Sequence, residues 1–430
     1  MDPPSLNLYS AVILAALLVS WALGRIATIL NLNALRSVPP PELEGVYDET
    51  RFRRSQEYTR ERSRFGFWTS TFDLAALLAF WWLGGFDVLD RWLRGFDLSE
   101  LWTGLLFIGA LVVGKAAVDL PFSIWSTFVI EERYGFNRTT PKTFVLDLVK
   151  SLALGAALGG PVVAAILVFF QRVENAWLWS WLLVAAVTLL VQVVLPTWIL
   201  PFFYRFTPLD QGSVRQALED YARKVGFGLD GIFVIDGSRR STRSNAFFTG
   251  FGKTKRIALF DTLIEKHPED ELVAVLAHEV GHYRRRHIPL MTVVSLLHTG
   301  VLFFLLGFFL QQHGLFEAFS MEQMSVHAGL VFFGLLYTPL EMVLSLFILA
   351  MQRRFEFQAD RFAADTAEAG GMARALRRLA ADNLTNPSPH PLYAALYYSH
   401  PPVAQRIRAL GVHRSEYADQ RLEPSPEPAA

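Results

Sequence analysis

Long apolar stretches alternate with polar segments along this chain of 430 residues. A helix needs about 20 apolar residues to cross the ~30 Å hydrocarbon core of a bilayer. Seven stretches meet that length, namely 8–30, 67–86, 101–122, 144–170, 177–200, 288–310 and 326–351. The third contains Lys115 and Asp119, which either pair with each other or face a wet interior, with snorkelling towards the interface as the alternative. The pattern predicts a mainly α, integral membrane protein with seven spanning helices.

The polar segments predict a small α+β domain in two parts. In the first part, the pattern predicts helices over 213–225 and 269–286, strands over 231–235 and 256–260, and a strand edge with a turn over 241–255. In the second part, helices are predicted over 353–369 and 372–384. We expect a membrane domain with five spans, the first part of the small domain, two further spans, the second part and a disordered tail, at 1–200, 201–287, 288–351, 352–411 and 412–430.

The composition agrees with membrane insertion and limits the possible chemistry. Of all residues 52% are hydrophobic and only 19% are charged, against about 25% charged in a typical soluble domain. The 40 basic and 40 acidic residues cancel, so no global charge attracts nucleic acid, and no nucleic-acid partner is predicted. Because the chain contains no cysteine, any metal must be held by histidine and carboxylate groups.

The distribution of basic residues between the loops predicts the orientation in the membrane, because basic loops tend to stay on the cytoplasmic side. The loop 311–325 contains no lysine or arginine. The loop 31–66 contains Arg36, Arg51, Arg53, Arg54, Arg60, Arg62 and Arg64. With seven spans, the loop 31–66 and both parts of the small domain share one side. We therefore expect the small domain to face the cytosol, in a bacterial inner membrane or, for a eukaryotic source, in the endoplasmic reticulum membrane.

The candidate chemistry lies on the last predicted helix of the first polar segment, in the run HEVGH at 278–282. Because four residues make about one helical turn, His278 and His282 project from one face and can bind one metal ion. Glu279 beside them is a candidate general base, since zinc lowers the pKa of bound water towards about 7. Gly281 is unfavourable in a helix by about 1 kcal/mol, which predicts a close contact there. The alternative is a chance match on an ordinary helix.

A catalytic zinc site also needs a third protein ligand. Glu356, directly after the last predicted span, is the candidate. Asp360 lies about one helical turn further on and is suited to accept a hydrogen bond from a ligand histidine, which fixes the tautomer of that histidine. The alternative is a solvated helix end, in which both carboxylates pair with neighbouring arginines. The presence of the histidine pair favours the metal site.

Two further groups are candidates for contact with a substrate. His400 and Arg406 are suited to stabilise the oxyanion of a tetrahedral intermediate, although a proline-marked turn before a final helix explains them equally well. Asn245, Ala246 and Phe247 lie in a predicted edge strand, to which an extended peptide can add. An ordinary β-hairpin is the alternative, and the pattern alone favours it.

Together, these motifs resemble those of the type I CAAX prenyl proteases, which are integral membrane zinc endopeptidases. The resemblance is collinear over roughly residues 30–411. It rests on RSQEYTRERSRFGF (54–67), STFVIEERYGFNRTTPKTF (126–144), SNAFFTGFGKTKRIALFDTLI (244–264), LAHEVGHYRRRH (276–287), RFEFQAD (354–360) and NLTNPSPHPLYAALYYSHPPVAQRIRAL (383–410). This series is much more specific than the five-residue zinc motif, which many unrelated proteases share.

The resemblance implies an architecture, an activity and a metal. It implies seven membrane helices that enclose a water-filled chamber, with the protease site at the cytosolic end. By motif position it implies one Zn²⁺ per chain, held by His278, His282 and Glu356, with Glu279 as catalytic base. Members of the family cleave prenylated peptides after the modified cysteine, and some also cleave further upstream.

The resemblance also assigns roles around the metal and indicates the partners. It places His400 and Arg406 near the reacting carbonyl, Asn245 on the substrate backbone and Asp360 behind a ligand. The expected partners are the lipid bilayer and a peptide or protein substrate, prenylated or not, because a bacterial source would favour cleavage of other membrane proteins. The competing function is a non-catalytic or lipid-binding membrane chamber that retains the fold. An altered zinc motif would favour that function, and this motif is intact.

Overall fold

The structure, a computed structural model, describes residues 6–36, 38–46, 49–249 and 255–412. The predicted disordered tail, 412–430, lies outside the described residues from position 413 onwards. Up to residue 202 the described chain is mainly helical, with α1 Leu8–Asn33, α2 Glu49–Trp82, α3 Gly85–Arg94, α4 Glu100–Glu131, α5 Pro141–Arg172 and α6 Ala176–Phe202. Each of the last three helices includes a π-helical turn.

A four-stranded sheet follows, formed by β1 Phe206–Pro208, β2 Gly231–Ile235, β3 Ala246–Thr249 and β4 Arg256–Phe260. Its order is β1-β2-β4-β3, with β2 and β4 parallel and both outer pairs antiparallel. The predicted strands 231–235 and 256–260 are confirmed with the same bounds, because isoleucine, valine and phenylalanine favour an extended backbone there. The predicted edge strand is confirmed as β3, which pairs only with β4 in the described chain.

Helices complete the small domain and the membrane region. Those near the sheet in sequence are α7 Ser213–Lys224, α8 Asp261–Lys266 and α9 Glu269–Arg284. The remaining helices are α10 His287–Phe309, α11 His313–Glu317, α12 Val326–Leu336, α13 Thr338–Thr366, α14 Ala369–Asp382, α15 Pro391–Tyr397 and α16 Val403–Leu410. The predicted helices 213–225, 269–286 and 372–384 are confirmed as α7, α9 and α14, with ends that differ by at most three residues.

In the described chain, five helices are by themselves long and apolar enough to cross a membrane: α1, α4, α5, α6 and α10. Two pairs of helices pass the same criterion only together, namely α2 with α3, bent by 58°, and α12 with α13, bent by 55°. The seven predicted spans therefore correspond to five single helices and two bent pairs, if each pair is one span. The predicted fold class, a mainly α integral membrane protein with a small sheet, is confirmed.

Two helices extend further than their predicted parts. The predicted loop 31–66 is helical over much of its length, because α2 begins at Glu49 and continues without a break into its apolar half. Phe52 and Tyr58 bury one side of this polar half, so it packs although it is too polar for a membrane. Likewise, the predicted helix 353–369 is the end of α13 and not a separate element. A hydropathy criterion detects the apolar part of a helix and misses its polar continuation.

In the third predicted span, Lys115 and Asp119 form an ion pair, as the first of the predicted alternatives has it. Lys115 of α4 pairs with Asp119 on the same helix, and its Nζ also lies 3.4 Å from Oδ1 of Asp73 on α2. The three side chains remain 39–56% exposed within the protein. Because charged groups avoid hydrocarbon, such an exposed cluster between membrane helices indicates a hydrated space.

The core of the small domain surrounds α9. Buried apolar residues occur at successive positions around this helix, including Leu272, Val275, Leu276, Ala277 and Val280. A helix buried on all sides is a core element, in contrast to an amphipathic surface helix. Helices α7, α13 and α14 pack against α9, which fixes the directions in which its side chains point.

Candidate metal centre

The central helix α9 carries the first two candidate ligands. Its first turn contains three acidic residues, which suit the positive end of the helix dipole. His278 and His282 project from the second half of the helix, and their Nε2 atoms lie 3.1 Å apart. His278 is buried and His282 is partly exposed, so the pair lies at the boundary between the core and solvent.

The third candidate ligand comes from α13, which crosses α9 closely at Gly281. A Cβ atom at Gly281 would lie 3.0 Å from Ala359 Cα and 3.1 Å from Ala359 O, tighter than ordinary packing. The predicted close contact at Gly281 is thus confirmed. This approach brings Glu356 to the histidine pair. Its Oε1 lies 3.3 Å from His282 Nε2, and its Oε2 lies 3.5 Å from His278 Nε2.

The three donors fit a tetrahedral metal ion. In a tetrahedral site with bonds of about 2.1 Å, ligand atoms lie about 3.4 Å apart. The two Nε2 atoms lie 3.1 Å apart, and each lies 3.3 or 3.5 Å from a different oxygen of Glu356, which is close to this separation. Glu356 Oε2 is buried and has no hydrogen-bond partner within the described ranges, although buried carboxylate oxygens normally have one. A metal ion held at this point would provide the missing partner.

Asp360 supports His278 from the side away from this point. Asp360 Oδ1 lies 2.9 Å from His278 Nδ1, and Arg406 of α16 donates to the same carboxylate through Nη2 (2.6 Å) and Nε (2.8 Å). With a proton on Nδ1, His278 keeps Nε2 free for a metal. Burial disfavours the charged guanidinium, but the carboxylates of Asp360, Glu356 and Glu279 together outweigh burial and raise the pKa of Arg406.

His282 has a corresponding support, which no local pattern in the sequence indicates. His287 begins α10, and its Nδ1 lies 3.1 Å from His282 Nδ1. Its Nε2 lies 2.9 Å from Gln358 Oε1, and its ring stacks on Phe355 at a centroid distance of 4.2 Å. If His287 donates to Gln358, it can accept from His282, which again leaves Nε2 of His282 for a metal. The chain reaches this arrangement by a turn at Arg286 with φ of 56°, which arginine rarely adopts.

Glu279 and His400 flank the centre on different elements. Burial raises the pKa of the Glu279 carboxyl group, which suits a residue that takes up and returns a proton near neutral pH. His400 lies between α15 and α16, and its side chain is 63% exposed. Its Nε2 is 3.3 Å from Glu356 Oε1, and its Nδ1 is 2.9 Å from Ser399 Oγ. His400 is thus open to solvent directly beside a candidate ligand.

The edge strand β3 packs beside α9, since the Phe248 ring lies 6.0 Å from the ring of Tyr283. Asn245 is exposed immediately before β3, and its Oδ1 accepts a hydrogen bond from Ala246 N (2.8 Å). Ala246 and Phe247 pair with β4 on one side, and no described strand pairs with the other side. The structure therefore gathers the predicted histidine, carboxylate and arginine residues around one point. It places the predicted strand residues at an open edge, without a described contact to the candidate ligands.

Two imidazoles and a carboxylate that converge beside a carboxyl group of raised pKa have the chemistry of a metallopeptidase. The open strand edge offers a peptide a place to add. Because the same chain contains helices that can cross a bilayer, fold and site together define a metallopeptidase of membranes.

Comparisons with known proteins agree with this class. The family model described as the CAAX prenyl protease N-terminal, five membrane helices, matches residues 28–205, and the model of peptidase family M48 matches residues 208–413. The CAAX prenyl protease 1 of Saccharomyces cerevisiae is 37% identical over 398 residues, which cover 86% of this chain and 88% of that protein. The chain belongs to the CAAX prenyl protease family of M48 peptidases.

Other relatives have the same extent. A CAAX prenyl protease 1 homolog of Arabidopsis thaliana is 37% identical, with 89% of this chain and 93% of that protein covered. A crystal structure of S. mikatae Ste24p superposes with a TM-score of 0.90 at 33% identity, and covers 95% of this chain and 100% of that chain. The resemblance seen in the sequence and the predicted enzyme class, a membrane metallopeptidase, are confirmed.

Proposed function

We propose that this chain is a zinc endopeptidase that cleaves a prenylated peptide after its modified cysteine. The observation that carries the proposal is the convergence of His278, His282 and Glu356, whose ligand atoms all lie within 4.8 Å of one another. Two histidines and one glutamate are a ligand set of catalytic zinc sites, and the chain has no cysteine to offer instead. Relatives that match most of the chain are named CAAX prenyl proteases, which supports the substrate class.

Each residue of the centre has a role in this reaction. Zinc, when bound there, would supply a Lewis acid that lowers the pKa of water and polarises the scissile carbonyl. Glu279 takes a proton from the water as its oxygen bonds to the carbonyl carbon, and returns a proton to the amine nitrogen as the C–N bond breaks. His400 is exposed beside Glu356 and donates to the carbonyl oxygen as that oxygen gains negative charge.

Asp360 and Arg406 act behind these groups. Asp360 holds His278 in the tautomer that presents Nε2, and Arg406 keeps Asp360 ionised and in place. The bidentate pair with Asp360 supports a positioning role for Arg406, in addition to the predicted role near the reacting carbonyl. His287 positions the ring of His282 in the same way that Asp360 positions the ring of His278.

The substrate would bind as an added strand along β3. Asn245, Ala246 and Phe247 then contact its backbone and alternate side chains, since the outer side of β3 pairs with no described strand.

The proposed division of the chain has two membrane parts, 1–200 and 288–351, and two protease parts, 201–287 and 352–411. The arginine-rich polar half of α2 supports a cytosolic position of the site. The hydrated cluster at Lys115 supports a chamber between the spans.

The metal content of detergent-purified protein tests the proposal. We expect about one zinc per chain in the wild type and markedly less in Glu356→Ala. Glu341→Ala is a matched control, because Glu341 lies on the same helix and also contacts a histidine, at 3.1 Å from His298. It should keep the zinc. A wild type that binds no zinc even after reconstitution would contradict the proposal.

A peptide cleavage assay on the same preparation tests the substrate class. A farnesylated peptide should be cleaved in strong preference to its unprenylated counterpart. Equal cleavage of both peptides would support a protease that trims membrane proteins without regard to prenylation.

A further inference from the structure

A cavity of about 690 Å³ lies beside the metal centre and is continuous with it, because His400 and Arg406 form part of its wall. The rest of the wall comes from α1, α2, the segment before β3, and α15 with its flanking loops. The volume is in the usual range for a bound small molecule or short peptide, roughly 300–1,000 Å³. Its charge is unusual, because the described residues that line it include no aspartate or glutamate but include Arg25, Arg62, Arg243 and Arg406.

The positive charge of this cavity is only partly neutralised. Arg62 Nη1 lies 2.9 Å and Arg243 Nη2 lies 2.8 Å from the two oxygens of a single carboxylate, Glu131, which is not part of the wall. Arg406 is neutralised by Asp360. Two guanidinium groups thus share one carboxylate, and Arg25 makes no ion pair within the described ranges. The cavity keeps a net positive charge and suits an anion.

Arg25 is the most informative of the four arginines. It lies on the membrane helix α1, about 12 Å from the end of that helix. Its Nε is buried without a hydrogen-bond partner in the described chain, its Nη1 is 3.5 Å from Gly66 O, and its guanidinium lies 4.8 Å from the centre of the Phe67 ring. A cation within a spanning helix is costly and usually serves a partner. Nη2 of Arg25 is not buried and makes no hydrogen bond in the described chain, so it remains available to an anion in the cavity.

Arg25 and Arg62 act on the same part of the cavity. Burial raises the pKa of the Tyr393 hydroxyl, and the positive charges of Arg62 and Arg25 both oppose that rise. The two guanidinium groups come from different helices, and both line the cavity together with Tyr393. They can approach one small ligand together.

We propose that this cavity binds the free C-terminal carboxylate of the substrate, with Arg25 as its main contact and Arg62 and Arg243 beside it. The inference rests on the proposed function. Arg243 lies two residues before Asn245, so the cavity opens at the beginning of the edge strand. A peptide that adds antiparallel to β3 directs its C-terminal end towards that beginning. The three residues after the cleaved bond span about 10 Å when extended, a length that such a cavity can hold.

This arrangement would make the enzyme measure its cleavage site from the end of the chain. A guanidinium group binds a carboxylate through paired, charge-assisted hydrogen bonds, whereas a neutral amide offers one acceptor and no charge. A peptide whose end is blocked, or continues as a longer chain, loses this contact. The scissile bond is then selected by its distance from a terminal carboxylate as well as by its prenyl group.

The test compares two farnesylated peptides that differ only in a free carboxylate or a carboxamide at the C-terminus, with full-length protein in uncharged detergent. For the wild type we expect kcat/KM to favour the free acid by about 10- to 100-fold, the range of a charged hydrogen bond. Arg25→Gln should reduce this ratio to within a few-fold of one, and Arg25→Lys should give an intermediate ratio. The ratio is taken within each variant, so a general loss of activity cancels.

Arg53→Gln is the matched control, since Arg53 is a 72% exposed arginine of α2 that does not line the cavity. Its ratio should equal that of the wild type. A wild-type ratio near one, or an Arg25→Gln variant that loses both activities equally and keeps the ratio, would overturn the proposal. If both peptides are cleaved with a ratio near one, the zinc protease function still stands and only the carboxylate site is lost.

A lipid phosphate is the other source of a suitable anion, and a separate arm identifies it. Phosphatidic acid added to the micelles would then raise wild-type activity but not that of Arg25→Gln, and the wild-type ratio would be near one, which contradicts the carboxylate assignment. A binding arm needs no cleavage. The free tripeptide product should raise the melting temperature of the wild type, whereas its amide should not, and neither should stabilise Arg25→Gln. Equal stabilisation by acid and amide would refute the site even in an inactive preparation.

Discussion

Among the described residues, two trios combine a buried histidine and a buried aspartate with an arginine, and one of the two lies at the candidate metal centre. In the site trio, His278, Asp360 and Arg406, the histidine Nδ1 lies 2.9 Å from an aspartate that an arginine holds at 2.6 Å. In the membrane trio, His327 of α12, Asp90 and Arg94 of α3, the histidine Nε2 lies 2.7 Å from an aspartate that an arginine also holds at 2.7 Å. In both trios the aspartate lies between the histidine and the arginine, although Arg406 donates two hydrogen bonds to its aspartate and Arg94 donates one.

The difference lies in what the other nitrogen of each histidine meets. His278 Nε2 is 3.1 Å from His282 Nε2 and 3.5 Å from a Glu356 oxygen, so further donors converge on it. His327 Nδ1 is buried and has no hydrogen-bond partner in the described chain. Among the described residues, the only group of three donors placed to hold a metal ion is that of His278, His282 and Glu356, so no such set forms around His327. A carboxylate and an arginine orient an imidazole, but only additional donors make it a ligand.

The largest expected effect is the loss of activity when the candidate base Glu279 is replaced, compared with a change beside the membrane trio. Glu279→Gln removes the proton acceptor without changing the size of the side chain, so we expect activity to fall by about 10³-fold while zinc content is unchanged. Peptide cleavage and elemental analysis on one preparation measure both quantities. The matched change beside the membrane trio is Ser325→Ala, since Ser325 Oγ lies 3.1 Å from His327 Nε2. That variant should retain nearly full activity, and substantial activity in Glu279→Gln would show that another base acts.

An intermediate effect should distinguish the two aspartates. Asp360→Asn weakens the hold on a candidate ligand, and such changes typically lower metal affinity by about 10- to 100-fold. Asp90→Asn breaks a buried ion pair in the membrane trio, so it should lower the melting temperature without changing zinc affinity. Zinc affinity by competition with a chelator, together with thermal unfolding, checks the pair. An equal loss of zinc in both variants would contradict the claim that only Asp360 positions a metal ligand.

The smallest expected effect concerns the residue that sequence reasoning does not find. His287→Phe keeps a ring to stack on Phe355 but removes the partner of His282 Nδ1, so zinc affinity should fall by about 10-fold. His298→Phe is the control on the same helix, because His298 also stacks on an aromatic ring, that of Tyr337. Unchanged affinity in His287→Phe would assign His287 to packing alone.

The sequence predicts the features that depend on neighbours along the chain. The strands 231–235 and 256–260, the one-turn spacing of the histidine pair and the close contact at Gly281 are all local patterns, and the structure contains them. The sequence pattern does not predict features that depend on a turn or on distant parts of the chain. His287 meets His282 only because the chain reverses at Arg286. No helical or strand period marks such a reversal.

The cavity is unpredictable for the same reason. Its wall joins α1 to α15, more than 350 residues away in sequence. At the junction Tyr397 approaches Gly24, where a Cβ atom would lie 2.6 Å from Tyr397 Oη. A glycine in an apolar helix gives no sign of the distant tyrosine that needs its space. The arginines of the cavity are likewise scattered over four elements, so no motif contains them.

The helix α13 runs unbroken from the bend at its start to Glu356 and beyond. One inserted or deleted residue in this stretch would rotate Glu356 by about 100° around the helix axis and shift it by about 1.5 Å. The carboxylate would then point away from the histidine pair. The number of residues between the bend and Glu356 therefore sets the direction in which Glu356 points. This number fixes how the membrane region and the protease region are oriented along the helix. Neither region can be exchanged for that of another protein unless this count is preserved.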